Sequence, residues 1–119
     1  MQSQEKLKLD NILNDLVSEC SITFNAKLSD VRLFGSYARG DYDEDSDIDV
    51  MIILDMSDIE AKKSLNDICR IVAMLELKHS ATISPVIYGK NEYDTRKAFG
   101  FCKNVEMEGV SQYVRHTYA

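Results

Sequence analysis

The sequence predicts an α+β domain, a small mixed β-sheet with flanking helices. Apolar residues recur at spacings of three and four in the N-terminal, central and C-terminal segments, which is typical of amphipathic helices. Three short apolar runs lie between them and are typical of strands. The predicted order is helix, strand, strand, helix, strand, helix, and this order is that of an α+β domain.

The elements of the first half are predicted in turn. The first helix runs from about residue 4 to residue 20, because its apolar positions keep helical spacing. "VRLFG" (31–35) is a short strand, and a short helix can begin at Ser36. A polar loop follows, and "DIDVMIIL" (47–54) is the second strand.

The second half contains one more strand between two helices. A long helix is predicted over residues 56–79, with Ser57 or Asp58 as its N-cap. "SATISPVIYGK" is the third strand, and its Pro85 indicates an edge position or a bulge. "NEYDTRKAFG" is expected as a loop or weak helical turn, and the closing helix is expected from residue 101 to residue 114.

Length and composition narrow the class of protein. The 119 residues, 45% of them apolar, fit a single domain spanning residues 1–119. A formal net charge of −6 argues against DNA or RNA as a ligand, since nucleic-acid binders usually carry a basic face. The polar N-terminus does not resemble a signal peptide, and no apolar run is long enough to cross a membrane, so we expect a cytoplasmic protein. Three cysteines without metal-ligand spacing (Cys20, Cys69 and Cys102) are expected to be small buried hydrophobic residues.

Two carboxylates at the head of the second strand are the main chemical feature. Asp47 and Asp49 are two residues apart, so their side chains should share one face, while Ile48 and Val50 point into the core. Two such carboxylates repel each other unless a cation lies between them. An oxygen-preferring divalent cation, most simply Mg²⁺, removes that repulsion and can also bind nucleotide phosphates.

A Gly-Ser pair precedes these acids with ten residues between. Gly35 allows a phosphate to approach the backbone, and Ser36 adds a hydroxyl donor beside the amides of the predicted helix. Arg39 is either a phosphate contact or a counter-charge to the acids around it. Phosphate and metal binding together are the essentials of nucleotidyl transfer.

The acidic stretch is also compatible with simpler roles. A D-x-D pair is often a solvated strand end, and the acids from residue 41 to residue 45 are expected to be solvated loop residues. An EF-hand calcium loop requires Gly at its sixth position and Glu at its twelfth, and neither possible register supplies them. Glu108 in the closing helix is expected to support that helix, with Gly109 making a close backbone contact.

The full stretch "GSYARGDYDEDSDIDV" resembles the signature of the DNA polymerase β-type nucleotidyltransferases, G-S, ten residues, then D-x-D. It is most similar to the minimal nucleotidyltransferases that are often encoded beside HEPN-domain ribonuclease toxins. "FCKNVEMEGVSQY" is similar to the closing helix of such proteins. The resemblance implies a polymerase-β-like palm, ATP and Mg²⁺, Asp47 and Asp49 as metal ligands, and Gly35 and Ser36 as the triphosphate-binding pair.

The sequence departs from that family at the third carboxylate, which usually lies on the next core strand. Here that strand is "TISPVIY", and the position on the matching face is expected to be Ser84. Two hypotheses remain open. One is an enzyme that transfers AMP to a HEPN toxin. The other is a weakened nucleotide-binding or partner-binding module that neutralises its partner by occlusion.

Overall fold

A four-stranded mixed sheet forms the centre of the protein, and the computed structural model describes residues 2–113. The strand order is β3-β2-β1-β4. A single 3₁₀ turn joins the first helix to the first strand. In chain order the elements are α1 (Gln2–Phe24), β1 (Leu28–Phe34), α2 (Gly35–Arg39), β2 (Ile48–Leu54), α3 (Asp58–Lys63), α4 (Leu65–His79), β3 (Ile83–Gly89), α5 (Lys90–Arg96), α6 (Gly100–Glu108) and β4 (Val110–Ser111).

The pairing of the strands confirms the predicted α+β class with a mixed sheet. β1 runs antiparallel to both β2 and β4, whereas β2 and β3 are parallel. β3 lies at the edge of the sheet, which is where a strand can accommodate Pro85. The β1 strand begins three residues earlier than predicted, and Gly35 starts α2 instead of ending the strand.

Each face of the sheet carries its own apolar cluster. The larger cluster lies under α1 and α4 and contains Val50 and Ile52 of β2. The smaller cluster lies under α5 and α6 and contains Met51 and Ile53. Because side chains alternate along a strand, Asp49 belongs to the same face as Met51 and Ile53.

The long central helix was predicted as one element, and this was wrong. It breaks at Ser64 into α3 and α4, and a capping box between Ser57 and Glu60 starts the first of them. Ala61 of α3 and Ile68 of α4 are both fully buried in the larger apolar cluster.

Two other predictions were wrong near the C-terminus. The segment expected as a loop or weak turn contains α5, which is stabilised by the Lys90–Asp94 pair at 3.0 Å and by buried Tyr93. The closing helix ends at Glu108 instead of continuing to residue 113, because Gly109 is extended and Val110 pairs with Leu33 of β1. The predicted last residue, 114, lies outside the described residues.

Burial of the cysteines follows the prediction in two cases out of three. Cys20 and Cys102 are buried, but Cys69 is exposed because it lies on the outer face of α4. Among residues 2–113, no helix is both long enough and apolar enough to span a membrane.

Candidate active site

The head of β2 places the two carboxylates beside the sheet. Ile48 and Val50 are buried, Asp49 between them is half-buried, and Asp47 just before the strand is exposed. This alternation is the expected one, although the strand begins at Ile48 and not at Asp47. The predicted orientation of Ile48 and Val50 into the core is confirmed.

The surroundings of Asp49 disfavour ionisation of its carboxyl group. Burial raises the pKa of the Asp49 carboxyl, and the charges of Asp47 and Glu108 raise it further. Arg39 acts in the opposite direction and lowers the pKa of that carboxyl. Ionisation of Asp49 is therefore less favourable here than in water, and a cation beside the carboxylate would offset this.

The backbone of Gly35 lies directly against Asp49. A Cβ atom at residue 35 would fall 3.1 Å from Cγ of Asp49 and 3.2 Å from its Cβ, with Oδ2 closer still. The φ angle of Gly35 is +73°, a left-handed conformation that other residues adopt only with strain. The Gly-Ser turn therefore meets the second carboxylate of the D-x-D pair.

The short helix α2 begins at this point and is closed by a glycine. Its N-cap residue, Phe34, is extended and pairs across the sheet with Asp49. Gly40 ends the helix in the left-handed conformation and donates its N–H to the Ser36 carbonyl at 2.8 Å. Ser36 thus lies in the first turn of α2, one residue from the Gly35–Asp49 contact.

The acidic loop between α2 and β2 has a defined shape. The Asp43 carboxylate accepts hydrogen bonds from the Asp45 N–H at 2.9 Å and from the Ser46 hydroxyl at 3.3 Å. The rings of Tyr37 and Tyr42 stack with centroids 4.2 Å apart, which holds the start of the loop on α2. Asp41, Asp43, Glu44 and Asp45 are exposed, in agreement with the prediction that they are solvated loop acids.

Arg39 forms ion pairs with two carboxylates, one in the loop after α2 and one at the end of α6. Its Nε donates to Asp41 at 3.2 Å, and its Nη1 lies 3.3–3.4 Å from the two Glu108 oxygens. Of the two roles considered for Arg39, the structure contains the counter-charge arrangement. Contact of Arg39 with phosphate stays a prediction.

Glu108 is the residue of this site that sequence reasoning missed. It was expected to support its own helix, but it pairs with Arg39 from α2, which is 69 positions away. The local signal at this residue was the "E-G" of the closing motif. That signal does not identify Arg39 as the partner of Glu108, because the sequence pattern does not show that α6 ends beside α2.

Arg32 fixes the end of α6 at this position. Its guanidinium donates to the carbonyls of Glu106 and Gly109, both at 3.0 Å, and its side chain is 16% exposed. A Cβ at Gly109 would lie 2.9 Å from Nε of Arg32 and 3.3 Å from the Leu33 carbonyl oxygen, so the predicted close backbone contact is confirmed. A cation at a helix C-terminus binds the carbonyls that the helix leaves unpaired.

The third strand supplies no acid on the other side of Asp49. Ser84 is the register partner of Asp49 in the parallel pair of β2 and β3, which confirms the expected alignment. A serine hydroxyl is a weaker Mg²⁺ ligand than a carboxylate and is not a general base near neutral pH. Within the described part of the chain, no group of three or more His, Cys, Asp or Glu residues is arranged to hold a metal ion.

A carboxylate pair alone still fits a hard divalent cation. Asp47 and Asp49 offer oxygen ligands, burial and the charge of Asp47 raise the pKa of Asp49, and Mg²⁺ commonly uses one or two carboxylates together with phosphate and water. The chemistry of these two residues therefore fits a divalent cation such as Mg²⁺.

A separate cavity of about 470 Å³ lies on the opposite side of the β2 strand. Tyr37, Ser46, Ile48 and Thr82 contribute to its lining, but Asp47 and Asp49 do not. Because Ile48 and Asp49 point to opposite faces, this cavity is behind the carboxylates and not in front of them.

Comparison with known proteins shows the family of the chain. The nucleotidyltransferase domain family matches residues 13–105. A protein of Methanocaldococcus jannaschii, provisionally named a protein adenylyltransferase, is 39% identical over 71% of this chain and 83% of its own length. A second protein of that organism with the same provisional name is 30% identical over 87% of this chain and 97% of its own length.

Two solved structures share the fold. One is a toxin–antitoxin complex with AMP-PNP, with a TM-score of 0.55, 18% identity, and coverage of 85% of this chain and 72% of that chain. The other is a mutant of the MntA–HpeT toxin–antitoxin complex, with a TM-score of 0.52, 16% identity and the same coverage, 85% and 72%. The mixed sheet with its flanking helices matches a polymerase-β-like nucleotidyltransferase fold, and the chain belongs to the nucleotidyltransferase domain family.

Proposed function

We propose that this protein is a Mg²⁺-dependent adenylyltransferase that uses ATP to modify a hydroxyl group of a partner protein. The observation that carries the proposal is the contact between Gly35 and Asp49, which brings a phosphate-binding turn and a metal-binding carboxylate to one point. The provisional name shared by its M. jannaschii relatives, protein adenylyltransferase, supports the choice of AMP and of a protein acceptor.

Each residue of the site has a role in this proposal. Asp47 and Asp49 hold the metal, while Gly35, Ser36 and Arg39 bind the triphosphate. Bound Mg²⁺ supplies stabilisation of the negative charge that develops on the phosphate oxygens. The acceptor oxygen forms a bond to the α-phosphorus of ATP, the bond from that phosphorus to the β-phosphate oxygen breaks, and pyrophosphate leaves. The proton of the acceptor hydroxyl passes to solvent water, because the register partner of Asp49 is Ser84 and not a carboxylate base.

The partner is proposed to be a HEPN-domain toxin, with this chain as its antitoxin in the cytoplasm. Both solved structures named above are toxin–antitoxin complexes, and one of them was obtained with an ATP analogue.

Transfer of label from ATP tests this function. We expect purified protein, Mg²⁺ and α-labelled ATP to label the partner, and we expect Asp47→Asn/Asp49→Asn to abolish the labelling. Asp45→Asn is the matched control, because Asp45 is an exposed acid of the same loop two residues before Asp47. Equal labelling by the double variant and the wild type would show that these carboxylates do not hold the catalytic metal.

A second candidate function is a binding module that neutralises its partner by occlusion. The specific observation in its favour is Ser84 opposite Asp49, where the family usually has a third carboxylate. Loss of a general base lowers rates by about 10²–10⁴-fold. The same assay distinguishes the two candidates, because the module gives no labelling and binds its partner equally well with or without the Asp47→Asn/Asp49→Asn change.

A further inference from the structure

The ion pair between Arg39 and Glu108 joins two distant segments at the rim of the carboxylate pair. Nη1 of Arg39 lies 3.3 Å from Oε2 of Glu108, and Nε lies 3.2 Å from Oδ2 of Asp41. The Arg39 side chain is 47% exposed and the Glu108 side chain 27%. Arg39 can therefore exchange partners with solutes at little cost, because half-exposed ion pairs contribute weakly to stability.

We infer that Glu108 is a positioning residue, which holds Arg39 in the nucleotide-free protein and releases it to the triphosphate. This inference rests on the proposed function. A guanidinium can bind phosphate oxygens through two parallel N–H donors, and a triphosphate presents more negative charge than a single carboxylate. The two roles considered for Arg39, counter-charge and phosphate contact, are then two successive states of one side chain.

Glu108 is the fixed member of the pair. Arg32 binds the carbonyls on either side of it, from Glu106 and Gly109, and the Leu33–Val110 pairing joins the following residues to β1. Asp41, by contrast, is exposed and lies in the loop that follows α2, two residues after Arg39. The Arg39 side chain is consequently the part that changes partner.

The exchange takes place beside the metal-binding carboxylate. Phe34 pairs with Asp49 on one side of β1, and Leu33 pairs with Val110 on the other, so the end of α6 and the head of β2 flank the Gly35 turn. Arg39 ends the five-residue helix that Gly35 and Ser36 begin, and its charge lowers the pKa of the Asp49 carboxyl. Nucleotide binding replaces one anionic partner of Arg39 by another at almost the same place.

Calorimetric titration with a non-hydrolysable ATP analogue and Mg²⁺ tests the inference. We expect Glu108→Gln to tighten binding about two- to fivefold, the range set by loss of one exposed ion pair as competitor. In an Arg39→Gln background the same change is expected to have no effect. Glu92→Gln is the matched control, since Glu92 pairs with Arg96 at similar exposure on α5 and is expected to leave binding unchanged.

Two results would overturn the inference. One is weaker binding by Glu108→Gln. The other is equal tightening in the Arg39→Gln background, which would indicate a general effect of charge without exchange of Arg39. In NMR spectra, the Arg39 Nε–H signal should shift in Glu108→Gln and should move in the same direction when the wild type binds the analogue.

If the proposed function is wrong, the binding measurements give results that differ from those that overturn the inference about Glu108. In that case Asp49→Asn leaves binding of the ATP analogue unaltered, or the wild type does not bind it. Inorganic tripolyphosphate then serves as the probe. Movement of the Arg39 signal by tripolyphosphate still supports the exchange, and an unmoved signal overturns it.

Discussion

The two sides of Asp49 are built differently. Towards β1 the carboxylate meets Gly35, the first turn of α2 and the Arg39–Glu108 pair. Towards β3 its register partner is Ser84, which brings no charge. In the proposed function the first side binds the triphosphate, whereas the second side, where the acceptor hydroxyl would lose its proton, offers no carboxylate base. We therefore expect nucleotide binding and catalytic turnover to depend on different residues, and each can be tested by a substitution on its own side.

The largest effect is expected from Gly35→Ala, on the phosphate side. A Cβ at residue 35 would collide with the Asp49 carboxylate, and the φ angle of +73° adds backbone strain. We expect Mg²⁺-dependent ATP binding to be lost, together with roughly 1–2 kcal/mol of the free energy of unfolding. Calorimetric titration and urea unfolding measure the two effects.

Gly40→Ala is the matched control for that substitution. Gly40 has a similar φ angle of +86°, but a Cβ there would meet no atom within 4 Å. It should therefore lose a similar amount of stability and keep ATP binding. If both variants lose binding equally, strain in α2 is the cause and the Gly35–Asp49 contact is not.

A smaller effect is expected on the other side, from Ser84→Asp. A third carboxylate beside Asp49 attracts a divalent cation by about 2 kcal/mol at 4 Å even at the dielectric constant of water, and repulsion between the added carboxylate and Asp49 offsets part of this gain. We expect Mg²⁺-dependent ATP binding to tighten roughly five- to tenfold. The uncharged variant Ser84→Asn should not tighten it. Unchanged or weaker binding by Ser84→Asp would mean that this position does not face the metal.

The local parts of the site could be predicted from the sequence, because they depend on short-range rules. The alternation of buried Ile48, half-buried Asp49 and buried Val50 follows from strand geometry. The pairing of Ser84 with Asp49 follows once "TISPVIY" is identified as the neighbouring strand. Edge placement of the third strand followed from Pro85, which cannot complete the ladder of a central strand.

The parts that were missed depend on contacts between distant segments. Helical periodicity continues across Ser64, so the pattern of apolar positions does not reveal the break between α3 and α4. The ion pair of Glu108 with Arg39 was hidden for the same reason. It requires the end of α6 to dock on β1, and that docking depends on Arg32, whose role as a helix cap has no local sequence signal.

The smallest expected effect is on the free energy of unfolding, which Asp→Asn substitution should change in opposite directions at two aspartates. Burial and the charge of Asp47 raise the pKa of Asp49 above its ordinary value of 3.8. Its contribution to stability is therefore fully present below pH 3.8 and is lost as the pH rises through the raised pKa. In metal-free buffer at about pH 7 we expect Asp49→Asn to be more stable than the wild type, with the difference shrinking as the pH falls.

Asp15 provides the contrast, because hydrogen bonds from Lys78 and His79 lower the pKa of its carboxyl below 3.8. Its contribution is present above pH 3.8 and is lost as the pH falls through the lowered value. Asp15→Asn should thus be less stable than the wild type at neutral pH, and the difference should vanish in acid. Urea unfolding from about pH 7 to about pH 3 measures both variants. If Asp49→Asn instead behaves like Asp15→Asn, Asp49 is already satisfied without a cation, and the repulsion that favours metal binding on the phosphate side is absent.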